Sequence, residues 1–402
     1  MNFIQRKEKE TNRYIGNYLM KIIIAGDIIP WTNNAHLFKE GDAKTLFGDE
    51  VCSLFETADF SIVNLEGPLT DAIIAQHKTG PVIKAEKETV RGLKALKVKA
   101  VALANNHITD YLQKGIEDTI SVLQESDIKY VGVVKDPNKS RMGSYLSVTN
   151  GQFKVCIYNV SETFYNQPTK DNYGVNIYDE WIILNDIKVL RQQHDYLIVI
   201  YHGGAEYFPY PTPQTRKRFH RMADCGADFI TAQHTHCIGC EEWYNGSYLL
   251  YGQGNFLFSK QHNKPMMTEG LIMEIQLNNN GVQIDKHRIE LTQQAFITYS
   301  KNQSLNAFYE RSKNVNNEDL IIEKYKNLES DNYIEKYLLA FKGRRYIWIK
   351  LKKLLPKKIW LKLIESYSNT QLMLILYTMT SDRTFEDIYY VWQRLKEINK
   401  KN

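Results

Sequence analysis

Short apolar runs alternate with amphipathic stretches over most of the chain, from about residue 20 to residue 290. Runs of strand length are KIIIAG, DFSIVNLE, VKAVALAN, IKYVGVV, YLIVIYH and DFITAQH, which begin at Lys21, Asp59, Val98, Ile128, Tyr196 and Asp228. These runs are continuous rather than alternating, which is typical of strands covered on both faces. Further strands are predicted at SYLSVT, FKVCIYNV, SYLLYG and LIMEIQL, and helices near residues 86–96, 112–126, 181–193 and 213–225. This order predicts an α/β layered sandwich.

The two ends of the chain differ from this central part. Residues 1–19 are charged and lack periodicity, and the ordered pattern begins abruptly at Met20. We therefore predict that residues 1–19 are an N-terminal extension, either a loose segment or a stretch that precedes the natural start at Met20. Residues 20–295 are predicted to form the α/β domain. Residues 296–402, rich in Lys, Asn, Tyr and Leu, are predicted to form a helical C-terminal region.

Composition limits the class of protein. Of 402 residues, 43% are hydrophobic and 24% are charged, so the chain can bury a sizeable core and wholesale disorder is excluded. The net charge of +5 is too small to indicate a nucleic-acid partner. Five cysteines cannot all pair within the chain, so a disulfide scaffold is not expected. No apolar run approaches the roughly 18 residues of a membrane span, and the first twenty residues are too polar for a signal peptide, so we expect a cytoplasmic protein.

Reactive side chains stand where the predicted strands end. Five strands deliver a carboxylate, an amide or an imidazole there: Asp27; Glu66; Asn106 and His107, followed by Asp110; His202, followed by Glu206; and His234, followed by His236. In open α/β sheets, ligands bind beyond the carboxyl ends of the strands. Because packing does not require such side chains at strand ends, we predict that they meet in one functional site.

The side-chain types in this set are those of a divalent-metal site. Imidazole, carboxylate and amide oxygen suit Zn, Mn or Fe, and the set contains no thiolate. One carboxylate can bridge two cations about 3.5–4 Å apart, as in two-metal hydrolysis. The donors suffice for two incomplete shells, which leaves room for a water that the metal acidifies. We therefore predict one or two divalent metal ions at this edge of the sheet.

Six motifs follow one another along the chain: GDIIP, NLEGPLT, ANNHITD, HGGAEYFPYPTPQ, QHTHCIG and YLLYGQGNFLF, which begin at Gly26, Asn64, Ala104, His202, Gln233 and Tyr248. Together and in this order they resemble the CapA, or poly-γ-glutamate capsule-synthesis (PGA_cap), family. That family is similar in fold to the calcineurin-like metallophosphoesterases. The resemblance implies a four-layer α-β-β-α sandwich with a helical C-terminal extension. It also implies a metal-dependent hydrolase that makes or processes a capsular or cell-surface polymer, with the anionic polymer or its precursor as partner.

The resemblance implies metal-ligand roles for six of the strand-end residues. The implied ligands are Asp27, Glu66 and His236 for one metal, and Glu66 as a bridge with Asn106, His202 and His234 for the other. Phosphoesterases of this fold usually begin with Asp-x-His, whereas Ile28 and Ile29 follow Asp27 here, so the first metal lacks one imidazole. That departure supports a second hypothesis, a non-catalytic metal-binding accessory protein that tethers a membrane capsule-synthesis complex.

Three residues are predicted to act in catalysis rather than in metal binding: His107, Asp110 and Glu206. By resemblance, His107 stabilises the transition state or protonates the leaving group. Asp110 would orient the His107 ring, since a neighbouring carboxylate commonly fixes the tautomer of a working imidazole. Glu206 is predicted to line the pocket, with a solvated surface carboxylate as the alternative. For Asn255, a site role and a left-handed turn position are both open.

Three shorter segments each leave two interpretations open. The pair Cys237 and Cys240 after His236 is either a zinc knuckle or buried core. The aromatic residues at 207, 208 and 210, interleaved with prolines, form either a wall of the cleft or a structural loop. The patternless segment 163–178 is either a second lid or an ordinary loop.

The tail contains a basic amphipathic segment, residues 341–364, with the sequence FKGRRYIWIKLKKLLPKKIWLKLI. Its apolar face includes Trp348 and Leu351, and lysines fall largely on the opposite face. Such a helix either docks on an anionic membrane surface or a membrane synthase complex, or packs on the sandwich with solvated lysines. The predicted location is therefore the cytoplasm with peripheral membrane attachment, and no nucleic-acid partner is expected.

Overall fold

The computed structural model describes residues 19–76, 78, 80–135, 141, 143–162, 172–258, 265–292, 296–300 and 304–328, together with Pro356 and Ile359. The described residues up to Lys324 belong to one compact unit, and a second unit begins at Tyr325. Within these ranges, no helix has the length and apolar character needed to cross a bilayer. Residues 1–18 of the predicted N-terminal extension lie outside the described residues. So do residues 163–171 of the segment 163–178, for which a lid and an ordinary loop were both open. The predicted amphipathic segment 341–364 also lies outside them, apart from two single residues.

Strands and helices alternate along the chain as the apolar pattern predicts. The strands are β1 Met20–Ile29, β2 Phe60–Leu65, β3 Ala100–Ala102, β4 Lys129–Val131, β5 Val133–Lys135, β6 Tyr145–Thr149, β7 Lys154–Ser161, β8 Tyr173–Val175, β9 Tyr196–His202, β10 Phe229–Gln233, β11 Glu241–Tyr244, β12 Ser247–Leu250, β13 Asn255–Phe258, β14 Glu269–Asn278, β15 Gly281–Leu291 and β16 Ile297–Tyr299. The helices are α1 Ala35–Glu40, α2 Ala43–Glu56, α3 Val90–Ala95, α4 Leu112–Glu125, α5 Glu180–Arg191, α6 Pro213–Asp224, α7 Asn306–Lys313 and α8 Glu318–Leu328. Short 3-10 turns span Lys87–Thr89 and Pro265–Thr268.

The described strands form two large sheets and one small one. The first sheet has eight strands in the order β16-β15-β14-β1-β2-β3-β4, with β13 paired to β1. The second has six, in the order β11-β12-β10-β9-β7-β6, and β5 pairs with β8 separately. Strands β1 to β4 run parallel, as do β7, β9, β10 and β12. Parallel neighbours need crossover connections, which α2, α3 and α4 supply in the first sheet and α5 and α6 in the second.

The burial of β1 explains why the parallel strands are apolar throughout. Ile23 and Ala25 belong to the core that the first sheet shares with α1 to α4. Their neighbours Ile22 and Ile24 belong to the core between the two sheets. Because side chains alternate along a strand, a strand with a core on each side has no polar face. Helices α5 and α6 contact the second sheet through β9 and β10. The predicted layer order of helices, sheet, sheet and helices is confirmed.

Two features of the fold differ from the predicted elements. Helices α1 and α2 and strands β8, β11, β13 and β15 are present where the pattern gave no element. Helix α2 contains Gly48 with φ of 74°, a non-helical conformation that kinks it, so the helical period breaks there. The run IKYVGVV, predicted as one strand, splits at Gly132 into β4 and β5, which belong to different sheets.

Gly132 is required where the chain leaves β4. Its φ is 104°, and a Cβ there would lie 2.0 Å from Oδ1 of Asn159 and 2.4 Å from the amide nitrogen of Ala104. The Ala104 N–H donates to the same Asn159 oxygen at 2.7 Å. This close approach pins the start of the loop 104–110, which carries several of the predicted site residues.

The last elements of the first unit attach to the sandwich. Strand β16 pairs with β15, and Phe308 of α7 lies in the core between the sheets. The Arg311 guanidinium donates to the carbonyls of Gly239 at 2.8 Å and Ile238 at 3.0 Å. The sequence-based boundary after residue 295 stays a prediction, and described elements on both sides of it share one compact unit.

Candidate metal centre

A β-bulge places Asp27 at the edge of the first sheet. The register of β1 against β2 shifts between Ile24 and Asp27, and its register against β13 shifts directly after Asp27. Two buried amides satisfy the backbone carbonyls that the bulge displaces: Gln253 donates to Ile24 at 2.7 Å and Gln233 to Ala25 at 3.1 Å. A bulge re-aims the side chains that it carries. Asp27 is fully buried and accepts from the N–H of His234, in the loop that follows β10 of the second sheet, so it is available to a site where the two sheets meet.

Glu66 is the central residue of the site. It follows β2 directly, its side chain is fully buried, and its N–H donates to the carbonyl of Ile28 at 3.1 Å. Both carboxylate oxygens are buried and have no hydrogen-bond partner in the described part of the chain. Oε1 lies 3.6 Å from Nε2 of His202 and 3.9 Å from Nε2 of His236. Since a buried charge without a partner costs several kcal/mol, this carboxylate fits a cation held among these groups.

Among the residues that the structure describes, two groups of three potential metal ligands share Glu66. The groups are Glu66 with His202 and His234, and Glu66 with Asp27 and His236, each with its donor atoms within 4.8 Å of one another. Donor atoms that bind one cation at about 2.1 Å lie roughly 3–4 Å apart, so only a small contraction separates this spacing from ligation. The carboxylate shared by the two groups belongs to Glu66, the residue for which the resemblance implies a bridging role.

Asn106 adds an amide oxygen to the group around His202. Its Oδ1 lies 2.9 Å from Nε2 of His202. Burial lowers the pKa of His202 well below its ordinary value, and the nearby imidazoles, His234 and His236 foremost, lower it further. The ring is therefore neutral, which is the form that ligates metals.

Asn64, which was not among the predicted site residues, joins the two halves of the site. Its Nδ2 donates to Oδ1 of Asp27 at 2.8 Å and lies 3.3 Å from Nδ1 of His202. Its Oδ1 accepts from Nδ2 of Asn105 at 3.1 Å, which fixes the orientation of the amide. Its place near a strand end and inside the NLEGPLT motif was the signal that marked it.

The loop after β10 carries two histidines in a strained backbone. His234 has φ of 83° and His236 has φ of 52°, and Tyr207 beside them has φ of 62°. Left-handed non-glycine residues cost about 1–3 kcal/mol each and concentrate at functional sites. The N–H of His234 donates to Oδ2 of Asp27 at 3.1 Å, so the unusual conformation ties this loop to β1.

Glu206 lies at the rim rather than inside the site. Its Oε1 is 3.8 Å from Nε2 of His234, and its side chain is 38% exposed. Burial lowers the pKa of His234, while the Glu206 charge opposes that shift. The ring of Tyr207 stacks on His236 with centroids 6.0 Å apart, whereas Phe208 is buried beside it. Tyr207 is thus a wall of the site, and Phe208 is part of a structural loop.

Asn255 fixes the tautomer of His236. Its Nδ2 donates to the carbonyl of Met267 at 3.0 Å, so its Oδ1 is the atom that faces Nδ1 of His236 at 2.9 Å. Nδ1 must then carry the proton, which leaves the lone pair on Nε2, the nitrogen that faces Glu66. Of the two interpretations of Asn255, the structure favours the site role.

His107, Asp110 and Lys78 form a buried cluster beside the donor groups. Oδ2 of Asp110 lies 2.6 Å from Nδ1 of His107, as the resemblance implies. Burial lowers the pKa of His107, and the Asp110 hydrogen bond opposes that shift. Lys78, whose Nζ lies 2.5 Å from Oδ1 of Asp110, was missed by the sequence analysis because its loop has no periodicity.

Cys237 and Cys240 are buried core residues, 1% and 0% exposed. Burial raises the pKa of Cys237 to about 12, and burial likewise raises the pKa of Cys240. Neither belongs to a group of potential metal ligands in the described ranges. The structure therefore favours the core interpretation over a zinc knuckle.

Comparison with known proteins identifies the same family that the sequence motifs resemble. Residues 21–260 match the family model PGA_cap, described as bacterial capsule synthesis protein. The chain is 29% identical over 208 residues to the capsule biosynthesis protein CapA of Bacillus anthracis, over 50% of each chain. It is 26% identical over 261 residues to the PGA biosynthesis protein CapA of Bacillus subtilis (strain 168), over 64% of this chain and 67% of the other. The match thus spans half the length of the first relative.

Among solved structures, the chain is similar to a hypothetical protein from Thermus thermophilus. The two are 13% identical, with a TM-score of 0.42, over 67% of this chain and 99% of the other. A likeness at this level supports no argument about the site. The match to the family model, over residues 21–260, covers more than half of the chain.

Proposed function

Because the chain belongs to the bacterial capsule synthesis protein family PGA_cap, we propose that it is a metal-dependent hydrolase. It would act in the synthesis or processing of an anionic cell-surface polymer, poly-γ-glutamate or a capsular polysaccharide. The carboxylate of Glu66, buried without a hydrogen-bond partner among the described residues, carries the metal-dependent part of this proposal. The likeness to a capsule biosynthesis protein and to a PGA biosynthesis protein supports the polymer part.

The proposed cations would be held by the two groups that share Glu66. One cation would bind Asp27, Glu66 and His236, and the other Glu66, Asn106, His202 and His234. Imidazole, carboxylate and amide donors suit Mn, Zn or Fe. When bound, such ions would acidify water and polarise the bond to be cleaved.

The remaining residues would act on the substrate. His107 directly follows Asn106, whose Oδ1 lies 2.9 Å from Nε2 of His202. With the proton of Nδ1 held by Asp110, Nε2 of His107 is the nitrogen available to the reacting group, where it would stabilise developing charge or protonate the leaving group. Glu206, at the exposed rim beside His234, would contact the substrate outside the reacting bond.

One observation favours the second hypothesis, a non-catalytic metal-binding accessory protein. Ile29 stands at the position of the imidazole in Asp-x-His, and it is 1% exposed within the core beneath the helices. The group around Asp27 therefore has three donors rather than four. An accessory protein would bind metal without turnover. Its attachment to a membrane or synthase complex through residues 341–364 stays a prediction.

Metal content and turnover together test the proposal. The full chain is loaded separately with Mn, Zn and Fe, analysed for bound metal, and assayed on phosphoesters and on γ-glutamyl peptides and polymer. We expect metal-dependent hydrolysis of at least one substrate. Glu66→Gln should lose bound metal and lower the rate by about 100-fold or more, because it removes the shared ligand.

Glu274→Gln is the matched control, since Glu274 is also a buried glutamate of the first sheet but belongs to no donor group in the described ranges. It should retain both metal and activity. Stoichiometric metal without turnover on the whole panel would favour the accessory protein. Hydrolysis that survives both chelation and Glu66→Gln would contradict the proposed site.

A further inference from the structure

A buried lysine lies in the wall of the proposed centre. The side chain of Lys78 is only 6% exposed, and that of Asp110, with which it pairs, is fully buried. Lysine is rarely this buried unless its ammonium is paired and hydrogen-bonded. Lys78 is neither a proposed metal ligand nor the proposed acid, so these roles do not explain why a lysine is buried here.

The Lys78 ammonium contacts three residues of the loop 104–110. It donates to Oδ1 of Asp110 at 2.5 Å and to the backbone carbonyl of Asn106 at 2.8 Å. It also lies 3.3 Å from Nδ1 of His107. One cation thus touches the residue that orients the proposed acid and the backbone of a proposed metal ligand.

Both carboxylate oxygens of Asp110 have hydrogen-bond partners. Oδ1 accepts from Lys78, while Oδ2 accepts from the N–H of Ile83 at 2.7 Å and faces the His107 ring at 2.6 Å. The backbone carbonyl of Asp110 accepts from the N–H of Gln76 at 2.7 Å. Because these donors approach from several directions, the carboxylate has one orientation, and Lys78 supplies the charged contact that holds Oδ1 away from the ring.

We propose that Lys78 is a positioning residue of this centre: its ammonium holds the Asp110 carboxylate against the His107 ring and fixes the Asn106 backbone. The catalytic consequence rests on the proposed function. The geometric consequence, that the hydrogen bond between His107 and Asp110 is held in one arrangement, does not depend on the proposed function.

The first test needs neither metal nor substrate. In the metal-free full chain, proton NMR should show a low-field resonance for the Nδ1 proton of His107, assigned by its loss in His107→Asn. Lys78→Met keeps most of the side-chain volume and should remove that resonance or shift it strongly. Lys84→Met is the matched control, because Lys84 is an exposed lysine of the same loop that donates to the carbonyl of Ala72 at 2.7 Å. It should leave the resonance unchanged.

The second test separates positioning from general structural support. On a substrate that the wild type hydrolyses, and at saturating metal, Lys78→Met should lower kcat by about 10–100-fold, with KM and the metal content within about twofold of wild type. Lys78→Ala should recover part of kcat in n-propylamine and none in n-propanol, since the alcohol fills the space without the charge.

Each result bears on Lys78 separately from the hydrolase proposal. An unchanged His107 resonance in Lys78→Met overturns the positioning role, even for a protein with no turnover. So does a kcat equal to that of Lys84→Met, or rescue by the alcohol as effective as rescue by the amine. If the wild type hydrolyses nothing, the proposed function fails, and the NMR result alone decides the role of Lys78.

Discussion

Two buried glutamates of the first sheet have opposite surroundings. Glu66 follows β2 and faces His202 and His236 across 3.6 and 3.9 Å, with no hydrogen bond to its carboxylate in the described part of the chain. Glu274 lies in β14, 6% exposed, with Oε1 3.1 Å from the ammonium of Lys21 and Oε2 2.8 Å from Nε2 of His287. Both carboxylates are buried near imidazole, but only one is satisfied.

The pKa values of the two carboxyls follow these surroundings. Burial raises the pKa of Glu66 well above its ordinary value, and the charges of Asp27 and Glu206 raise it further. Burial would also raise the pKa of Glu274, but His287 and Lys21 outweigh it and lower the value to about 2. A buried carboxylate with internal partners stabilises the fold, whereas one without them indicates a site that an external cation would complete.

The largest expected effect follows from removing the unsatisfied charge. In the metal-free protein, Glu66→Gln should not lower the free energy of unfolding, because it replaces a buried carboxyl group, whose charged form burial disfavours, with a neutral amide of similar shape. At a metal concentration about 1,000 times Kd, the wild type should gain about 4 kcal/mol, and Glu66→Gln almost none. Thermal and denaturant unfolding with EDTA and with excess Mn or Zn measure both quantities. A clear loss of metal-free stability would mean that Glu66, like Glu274, is a structural carboxylate.

Glu274, whose carboxylate has partners within the protein, should stabilise the fold without any metal, unlike Glu66. The folded-state pKa of Glu274 is lowered from 4.5 to about 2, so its contribution is fully present above pH 4.5 and is lost as the pH falls through about 2. Because solvent screens part of these interactions, Glu274→Gln should cost on the order of 1–2 kcal/mol at pH 7 and progressively less between pH 4.5 and pH 2. Denaturant unfolding of both proteins at pH 7, 4 and 3 measures the difference. A difference that stays constant with pH would show that shape rather than charge gives Glu274 its role.

The position of the site could be predicted from the sequence because the ends of the buried strands can be recognised in the hydrophobic pattern. Continuous apolar runs mark strands buried on both faces, and parallel strands bring their carboxyl ends to one edge. That argument placed Asp27, Glu66 and His202 together, and the structure brings Glu66 to both donor groups. Their roles as ligands stay a prediction that metal analysis must test.

Partners that depend on loop path or strand register could not be predicted. Lys78 reaches Asp110 from a loop without periodicity, 32 residues away in the chain. Glu274 meets His287 only through the antiparallel register of β14 and β15, where His287 stands opposite Ile272. A sequence shows that a glutamate is surrounded by apolar residues, but not which cation or imidazole the fold brings to it.

The smallest expected effects concern the second nitrogen of each partner imidazole. Nδ1 of His236 faces Oδ1 of Asn255 at 2.9 Å, and Nδ1 of His287 faces the hydroxyl of Tyr299 at the same distance. Asn255→Ala frees the His236 ring to rotate and change tautomer, so metal affinity should fall about 10–100-fold. Tyr299→Phe should cost only about 0.5–1.5 kcal/mol of unfolding free energy and leave metal affinity unchanged.

Competition with a chromophoric chelator and denaturant unfolding, applied to both variants, separate the two roles. If His236 binds a cation and His287 contacts only Glu274, Asn255→Ala should lower metal affinity, and Tyr299→Phe should lower only the free energy of unfolding. Equal losses of metal affinity would mean that the Glu274 cluster supports the site. No loss in Asn255→Ala would mean that the orientation of His236 is fixed without Asn255. In that case other contacts of His236 would hold its imidazole towards Glu66: the rings of Tyr207 and Phe258, with centroids 6.0 and 4.7 Å away, and Oδ2 of Asp27, 3.5 Å from Nδ1.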